Sequence, residues 1–284
     1  MKNRPAYLLL LPTIIAYLLF FVMPVVQMGW LSLFRARTFE RTFIGFANFV
    51  TIFGDEQFGR SILNTFVYVG LIIPVQMILS LAFVLLSVNM RKWAQNTIRF
   101  ITYIPVFLAG VIISTVYNWI LHAPEGLANW LIGLLGFEPV IWLGSAVTAI
   151  PAMSMIIALS MNGFFVVYMM AVTLSITSET YEAAMIDGAT WWQIKWHIVL
   201  PHLKPTILLL TLLGIVGNFQ IFEVIYFLTN GGPAGETASI QYDIYSTGVL
   251  RGHYGLANAK TVVFVLIVLA VGYAKRRLDK RLSA

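Results

Sequence analysis

Glu182 and Asp187 stand in a polar stretch, YEAAMIDGATWWQIKWHIVLP over residues 181–201, that separates two long apolar runs. Carboxylates placed there can pair with a basic surface, and Ala183 and Ala184 beside them leave a low-relief side that another protein can approach closely. The remaining polar groups of interest lie inside apolar runs: Asn118 with Trp119, Asn162, and then Asn218, Gln220 and Glu223. A buried amide or carboxyl costs free energy unless it is hydrogen-bonded, so each of these either ties helices together or lines a polar path. Covalent chemistry is not indicated. The chain has no cysteine, and its four histidines (His122, His197, His202 and His253) lack the HExxH spacing of a metal site. It contains no GxSxG elbow and no GxxxxGK[ST] loop, so no catalytic residue, no metal and no nucleotide held by the P-loop route are expected in this chain.

The elements that carry these groups follow from composition. Of 284 residues, 59% are hydrophobic and 11% charged, with a mean hydropathy of +0.84, against about 25% charged in a soluble domain. An all-α integral membrane protein is therefore expected. A hydrocarbon core of about 30 Å needs roughly 20 residues of helix. Six runs meet that length, at 7–33, 62–88, 100–121, 146–174, 206–228 and 256–274, so the chain reads as one transmembrane domain over 1–284. The first run exceeds a signal-peptide core and lacks a small-x-small cleavage site after it, so it is read as retained.

The net charge of +6 does not indicate nucleic acid, because the basic residues sit at the ends of apolar runs without an aromatic-interleaved stripe. They read as topology. With the amino terminus inside, Lys2, Arg4, Arg91, Lys92, Arg99, Lys195, Lys204 and the cluster Lys275, Arg276, Arg277, Lys280 and Arg281 all face the cytoplasm. Both termini are thus expected inside, although Arg35, Arg37, Arg41 and Arg60 in the first outer loop weigh against it. That outer segment, 34–61, places Phe46, Phe49, Val50 and Phe53 at helical spacing, as an interfacial helix requires. A second outer loop is expected at 229–255, with a turn at Gly231, Gly232 and Pro233 followed by Tyr242, Tyr245 and Tyr254; Lys260 near the start of the sixth run is placed on the outer side.

The inner loop, 178–205, reads as a rigid knob. Ser178 can cap a short helix whose first turn carries Glu179 and Glu182, the sign that the positive end of a helix prefers. Gly188 stops or bends it, and Thr190 with Gln193 reads as a capping box that starts a second short helix. Pro201 is expected to end that helix and Pro205 to open the fifth run.

The order Glu182, Ala183, Ala184, Gly188, Ile198, Leu200 and Pro201 resembles the EAA loop by which permease subunits of ATP-binding-cassette importers dock onto their ATPases. The runs FEVIYFLTNGGP at 222–233, FIGFANF at 43–49 and the pair Asn64–Thr65 are similar to the first permease of carbohydrate-type importers, the class that includes maltose and glycerol-phosphate permeases. The resemblance implies a type I importer permease fold in a prokaryotic inner membrane, alternating between inward- and outward-facing states to move a sugar, oligosaccharide, polyol or sugar phosphate. It also implies partners: a second, homologous permease in a heterodimer, two cytoplasmic ATPases that use ATP and magnesium, and an extracytoplasmic solute-binding protein. Spacing alone leaves homodimer and heterodimer open.

The coupling glutamate of the family matches Glu182 and its elbow glycine Gly188, with Asp187 between them; Trp191, Trp192 and Trp196 match no fixed requirement. In the family, residues on the spans flanking the loop line the sugar site. Asn218 is then the first candidate, followed by Gln220, Asn162 and Phe219, with Glu223 and Trp119 behind; interhelical bonding or packing is the competing reading for each. A secondary transporter driven by an ion gradient is the alternative, and it calls for buried ionisable groups in broken, repeated spans.

Overall fold

A computed structural model describes residues 4–37 and 40–282, and their regular structure is helical apart from one short hairpin. Among the described residues, four single helices are long and apolar enough to cross a membrane: Leu10–Leu31, Glu56–Ser87, Trp191–Asn218 and Tyr254–Arg277. Two further spans are bent pairs. Lys92–Phe107 meets Gly110–Ile120 at 102°, and Ala146–Ser160 meets Asn162–Thr173 at 41°. The six expected spans are recovered when each bent pair counts as one.

Three expectations need correction. The third run is not a straight helix: Leu108 and Ala109 are extended, with ψ of 135° and 144°, and Pro105 just before them removes a donor from the ladder. The fifth run is not one helix either. Its helix begins in the inner loop at Trp191 and ends at Asn218, and a separate short helix covers Glu223–Leu228. Pro201 and Pro205 neither end nor open a helix, because residues Lys195–Val199 form a wider π turn. In that turn the Leu200 N–H already reaches back to the Lys195 carbonyl, five residues away. The missing N–H of Pro201 therefore falls where the regular four-residue ladder is suspended.

The chain divides into two compact units, one formed by the residues up to Gly59 with Asp243–Ala270, the other by Arg60–Tyr242 with the residues from Val271. In the first unit, strands Phe34–Ala36 and Arg41–Phe43 pair antiparallel, a feature the all-α reading did not include. The Asn48 amide donates to the carbonyls of Ser32 and Phe34, each at 2.8 Å, which fastens the Ala47–Phe53 helix to the hairpin. Phe46, Val50 and Phe53 remain exposed along that helix, the arrangement that an interfacial helix needs. Asp55 then caps the Glu56–Ser87 helix by accepting from the N–H groups of Gln57 and Phe58.

The same unit contains an ion cluster that the sequence reading missed. Lys260, placed there among the outer flanking charges, is fully buried. Its Nζ lies 2.6 Å from the Asp243 carboxylate, 3.0 Å from that of Asp55 and 5.2 Å from the centre of the Phe58 ring. Arg251 approaches Asp243 from the surface at 3.5 Å. The stretch expected as an outer loop is thus partly core, with Asp243 and Thr247 buried on helical turns.

In the second unit, one apolar cluster gathers Tyr68, Ile72, Met153, Ile157, Ile225 and Tyr242. A second gathers Val84, Phe165, Met169, Ile194, Leu203 and Leu210, so the start of the Trp191–Asn218 helix is packed into the body of the unit. The 231–239 turn is bonded and not loose. Asn64 donates to the carbonyls of Glu236 and Ala238, and the Tyr68 hydroxyl donates to that of Thr237.

Candidate functional site

The knob at 178–205 is built from one short helix and the first turns of a long one. The short helix is Ser178–Ile186, with Thr177 and not Ser178 at its cap position. Glu179 lies in its first turn but Glu182 does not, so only Glu179 meets the helix end as expected. The Glu179 carboxyl is held below its usual range, first by its own backbone N–H and then by the Thr177 hydroxyl.

At the other end Gly188 adopts φ +80°, a conformation that glycine enters without a side-chain clash. Its N–H donates to Met185 at 3.1 Å while that of Ala189 reaches Ala184 at 2.9 Å, the paired bonds of a Schellman stop. The capping box forms as read. Thr190 N–H donates to Gln193 Oε1 at 2.7 Å, and Gln193 N–H to Thr190 Oγ1 at 3.4 Å.

These constraints sort the motif residues by direction. Glu182, Ala183, Asp187, Gly188 and Pro201 are exposed, whereas Ala184 and Ile198 pack against the second apolar cluster and Leu200 is half-buried. Asp187, Gly188, Gln193, His197 and Ile198 line a shallow cleft of about 370 Å³ between the two helical pieces. Trp192 and Trp196 meet edge to face at 5.7 Å and stay substantially exposed. The knob therefore offers an acidic, small-residue face outward and is anchored inward by aliphatic side chains.

A second candidate site is a cavity of about 580 Å³ at the far end of the Trp191–Asn218 helix. Asn218, Gln220 and Glu223 all line it. A continuous helix could not have presented all three equally, and the helix ends at Asn218. The break at 219–222 is what brings the three polar groups to one void. Asn218 Nδ2 donates to Gln76 Oε1 at 3.2 Å and to the Gly214 carbonyl at 2.9 Å. Glu223 opens the Glu223–Leu228 helix, and its carboxylate occupies the space where a side chain at Gly110 would be. Phe164, Phe165 and Phe222 supply aromatic wall.

The other candidates fall elsewhere. Asn162 is buried and bonded to the Ser80 hydroxyl at 2.5 Å, so it ties two helices. Phe219 is buried against the edge of Phe66 at 5.1 Å between centroids, and it acts in packing. Trp119 is exposed and lines a separate pocket of about 250 Å³ with Asn118 and His122.

Sequence reasoning overlooked Gln76 and Ser160, both in the main cavity. Gln76 had a legible signal, an amide in the middle of the second apolar run. Replacing Asn218 with alanine leaves the buried Gln76 carbonyl oxygen short of this donor, a loss of about 1–3 kcal/mol. A fall in the unfolding temperature of the purified protein that is smaller in Asn218→Ala/Gln76→Leu than in Asn218→Ala alone checks it.

Residues 43–284 match the family described as "Binding-protein-dependent transport system inner membrane component". The trehalose/maltose transport system permease protein MalF of Thermococcus litoralis is 31% identical over 275 residues, covering 95% of this chain and 92% of the relative. Among solved structures, a bacterial ABC transporter involved in the import of the acidic polysaccharide alginate has a chain 28% identical with a TM-score of 0.82, covering 100% of this chain and 97% of that one. The alginate transporter in complex with an alginate pentasaccharide-bound periplasmic protein gives a TM-score of 0.83 at 27% identity, over 99% and 96% of the two chains. The helices, the knob and the cavity described above thus belong to a multi-pass permease, and the chain is a member of the binding-protein-dependent transport system inner membrane component family.

Proposed function

We propose that the chain is the permease half of an ATP-driven importer that moves a saccharide or a related polyol or sugar phosphate by alternating access. In this reading a second, homologous permease completes the translocation path, two cytoplasmic ATPase subunits bind ATP and magnesium, and an extracytoplasmic binding protein delivers the solute. The saccharide class comes from the relatives, one named for trehalose and maltose and another for alginate. The cavity itself gives the ion-gradient alternative no support, since among the described residues that line it Glu223 is the one ionisable group.

The observation that carries the proposal is the continuity of the Trp191–Asn218 helix. Its 28 residues span about 40 Å at 1.5 Å each. One end is the capped start of the knob and the other end is Asn218 in the cavity wall. A push on Glu182, Asp187 or the cleft beside them is transmitted as a rigid displacement to the residues that hold the solute. Both termini and the knob then lie on the cytoplasmic side, with 34–61 outside.

The test is uncoupling. Glu182→Lys reverses the charge of an exposed residue, and Gly188→Val places a β-branched residue at φ +80° in otherwise open space. Both variants should insert at wild-type levels. In proteoliposomes containing the whole importer, Glu182→Lys should lower solute uptake by at least about tenfold, equivalent to 1.4 kcal/mol of lost coupling, while Gly188→Val should also lower solute-stimulated ATP hydrolysis. Normal coupled uptake in both would refute docking at this face.

A further inference from the structure

We infer that Glu223 restricts the passage to uncharged saccharides and turns acidic ones away, an inference that rests on the saccharide reading above. The relatives leave the charge of the solute open, since one is named for neutral disaccharides and the similar transporter for an acidic polysaccharide. The cavity decides it. Among the described residues that line it, Glu223 is the one ionisable group, and no Lys, Arg or His accompanies it.

The remaining polar groups are neutral: the amides of Gln76, Asn218 and Gln220 and the hydroxyl of Ser160. Ser160 is 3% exposed, and its Oγ has no hydrogen-bond partner among the described residues. Together these offer donors and acceptors in the mixture that sugar hydroxyls satisfy. The Glu223 carboxylate adds acceptor-only oxygens that take a pair of vicinal hydroxyls and cannot bond a second carboxylate. Phe222 gives an apolar face for a pyranose ring.

An acidic sugar entering this void loses water and meets a like charge across low-dielectric walls. A uronate-binding wall would instead carry the guanidinium or ammonium groups that carboxylates require. The second permease adds its own wall, so the contribution of this chain is isolated by changing Glu223 alone. Its position permits that change. It is solvent-accessible at the start of a six-residue helix, and an amide of the same shape fits against Gly110 as the carboxylate does.

The experiment is direct binding of two trisaccharides, maltotriose and trigalacturonate, to the purified complete importer at neutral pH. The expected result is that trigalacturonate binds at least about tenfold more weakly than maltotriose, and that Glu223→Gln brings the two within about twofold by strengthening trigalacturonate. A second arm uses the wild-type protein only. Raising salt from about 20 mM to about 500 mM should narrow the gap by screening the carboxylate. Equal binding of the two probes in the wild type overturns the inference, as does a gap that neither Glu223→Gln nor salt reduces. Binding of neither trisaccharide overturns the charge selection as well, whereas absence of ATP-driven uptake of every saccharide offered overturns the saccharide reading itself, so the two failures are distinguishable.

Discussion

Lys260→Ala should be the most damaging single substitution outside the apolar core, costing about 3–5 kcal/mol, because it leaves buried negative charge without its main counter-ion. The ammonium is fully buried and within 3.0 Å of two carboxylates, with the Thr247 hydroxyl at 3.1 Å and the Phe58 ring below it. Once it is removed, Asp243, 2% exposed, keeps among the described residues only the half-exposed Arg251 at 3.5 Å as a cation. For a chain of this size such a loss lowers the unfolding temperature by on the order of 10 °C. The double variant Lys260→Met/Asp243→Leu removes both charges and should recover most of the loss, since buried pairs replaced by apolar groups are often neutral or better. A scanning unfolding measurement on purified wild type, single and double variants checks this; a double variant as unstable as Lys260→Ala would show that packing, not charge, dominates.

Asp55 gives the cluster a pH dependence with a defined sign. Burial raises its pKa, but the bond and charge of Lys260 and the N–H groups of Phe58 and Gln57 outweigh this and leave it below the ordinary carboxylate value. Its stabilising contribution is therefore complete above that ordinary value and disappears as pH falls through the lowered one. In Lys260→Ala the acid end of the stability profile should flatten at this position.

The second large effect is expected at Gly163. A Cβ there would fall on the Thr102 carbonyl and 2.6 Å from the Tyr103 Cα, so the Lys92–Tyr103 and Asn162–Thr173 helices touch backbone to backbone. Backbone cannot swing aside as a long side chain does, and Gly163→Ala should reach the upper part of the usual overpacking range of about 1–3 kcal/mol. Gly163→Leu should fail to accumulate as folded protein. Solute uptake should fall together with stability, since neighbouring Asn162 holds Ser80 and Phe164 and Phe165 line the cavity. Gly70→Ala serves as the contrast. Its Cβ meets nothing within 4 Å on a helix interior, so stability should be unchanged or higher by about 1 kcal/mol. Melting curves and protein yield after membrane extraction separate the two.

The parts of the molecule governed by local rules were legible in the sequence. The length of apolar runs located the spans, and Gly188, Thr190 and Gln193 marked an elbow and a cap that formed because their bonds close within a few residues. Tertiary features were not legible in the same way. Pro201 read as a stop and Pro205 as a start because a proline penalises the interior of a regular ladder, yet the helix continues through both beyond the π turn at Lys195–Val199. Lys260 looked like a flanking charge because its partner Asp55 lies on another helix start and Asp243 on a segment taken for loop. Of the polar residues proposed along the path, Asn218, Gln220 and Glu223 reached the cavity through a chain break that periodicity does not announce, while Asn162 satisfied itself on Ser80.

The kink at Leu108 and Ala109 has a bearing on what fills the passage. Two extended residues interrupt the ladder, so carbonyls on one side and amides on the other lack their usual helical mates. Acyl chains cannot solvate such groups, and irregular backbone at that depth survives only where protein or water meets it. Val106 and Gly110, flanking the kink, both open onto the void. The unpaired backbone groups of the kink are consequently kept from the fatty interior and met by protein or by water in that void.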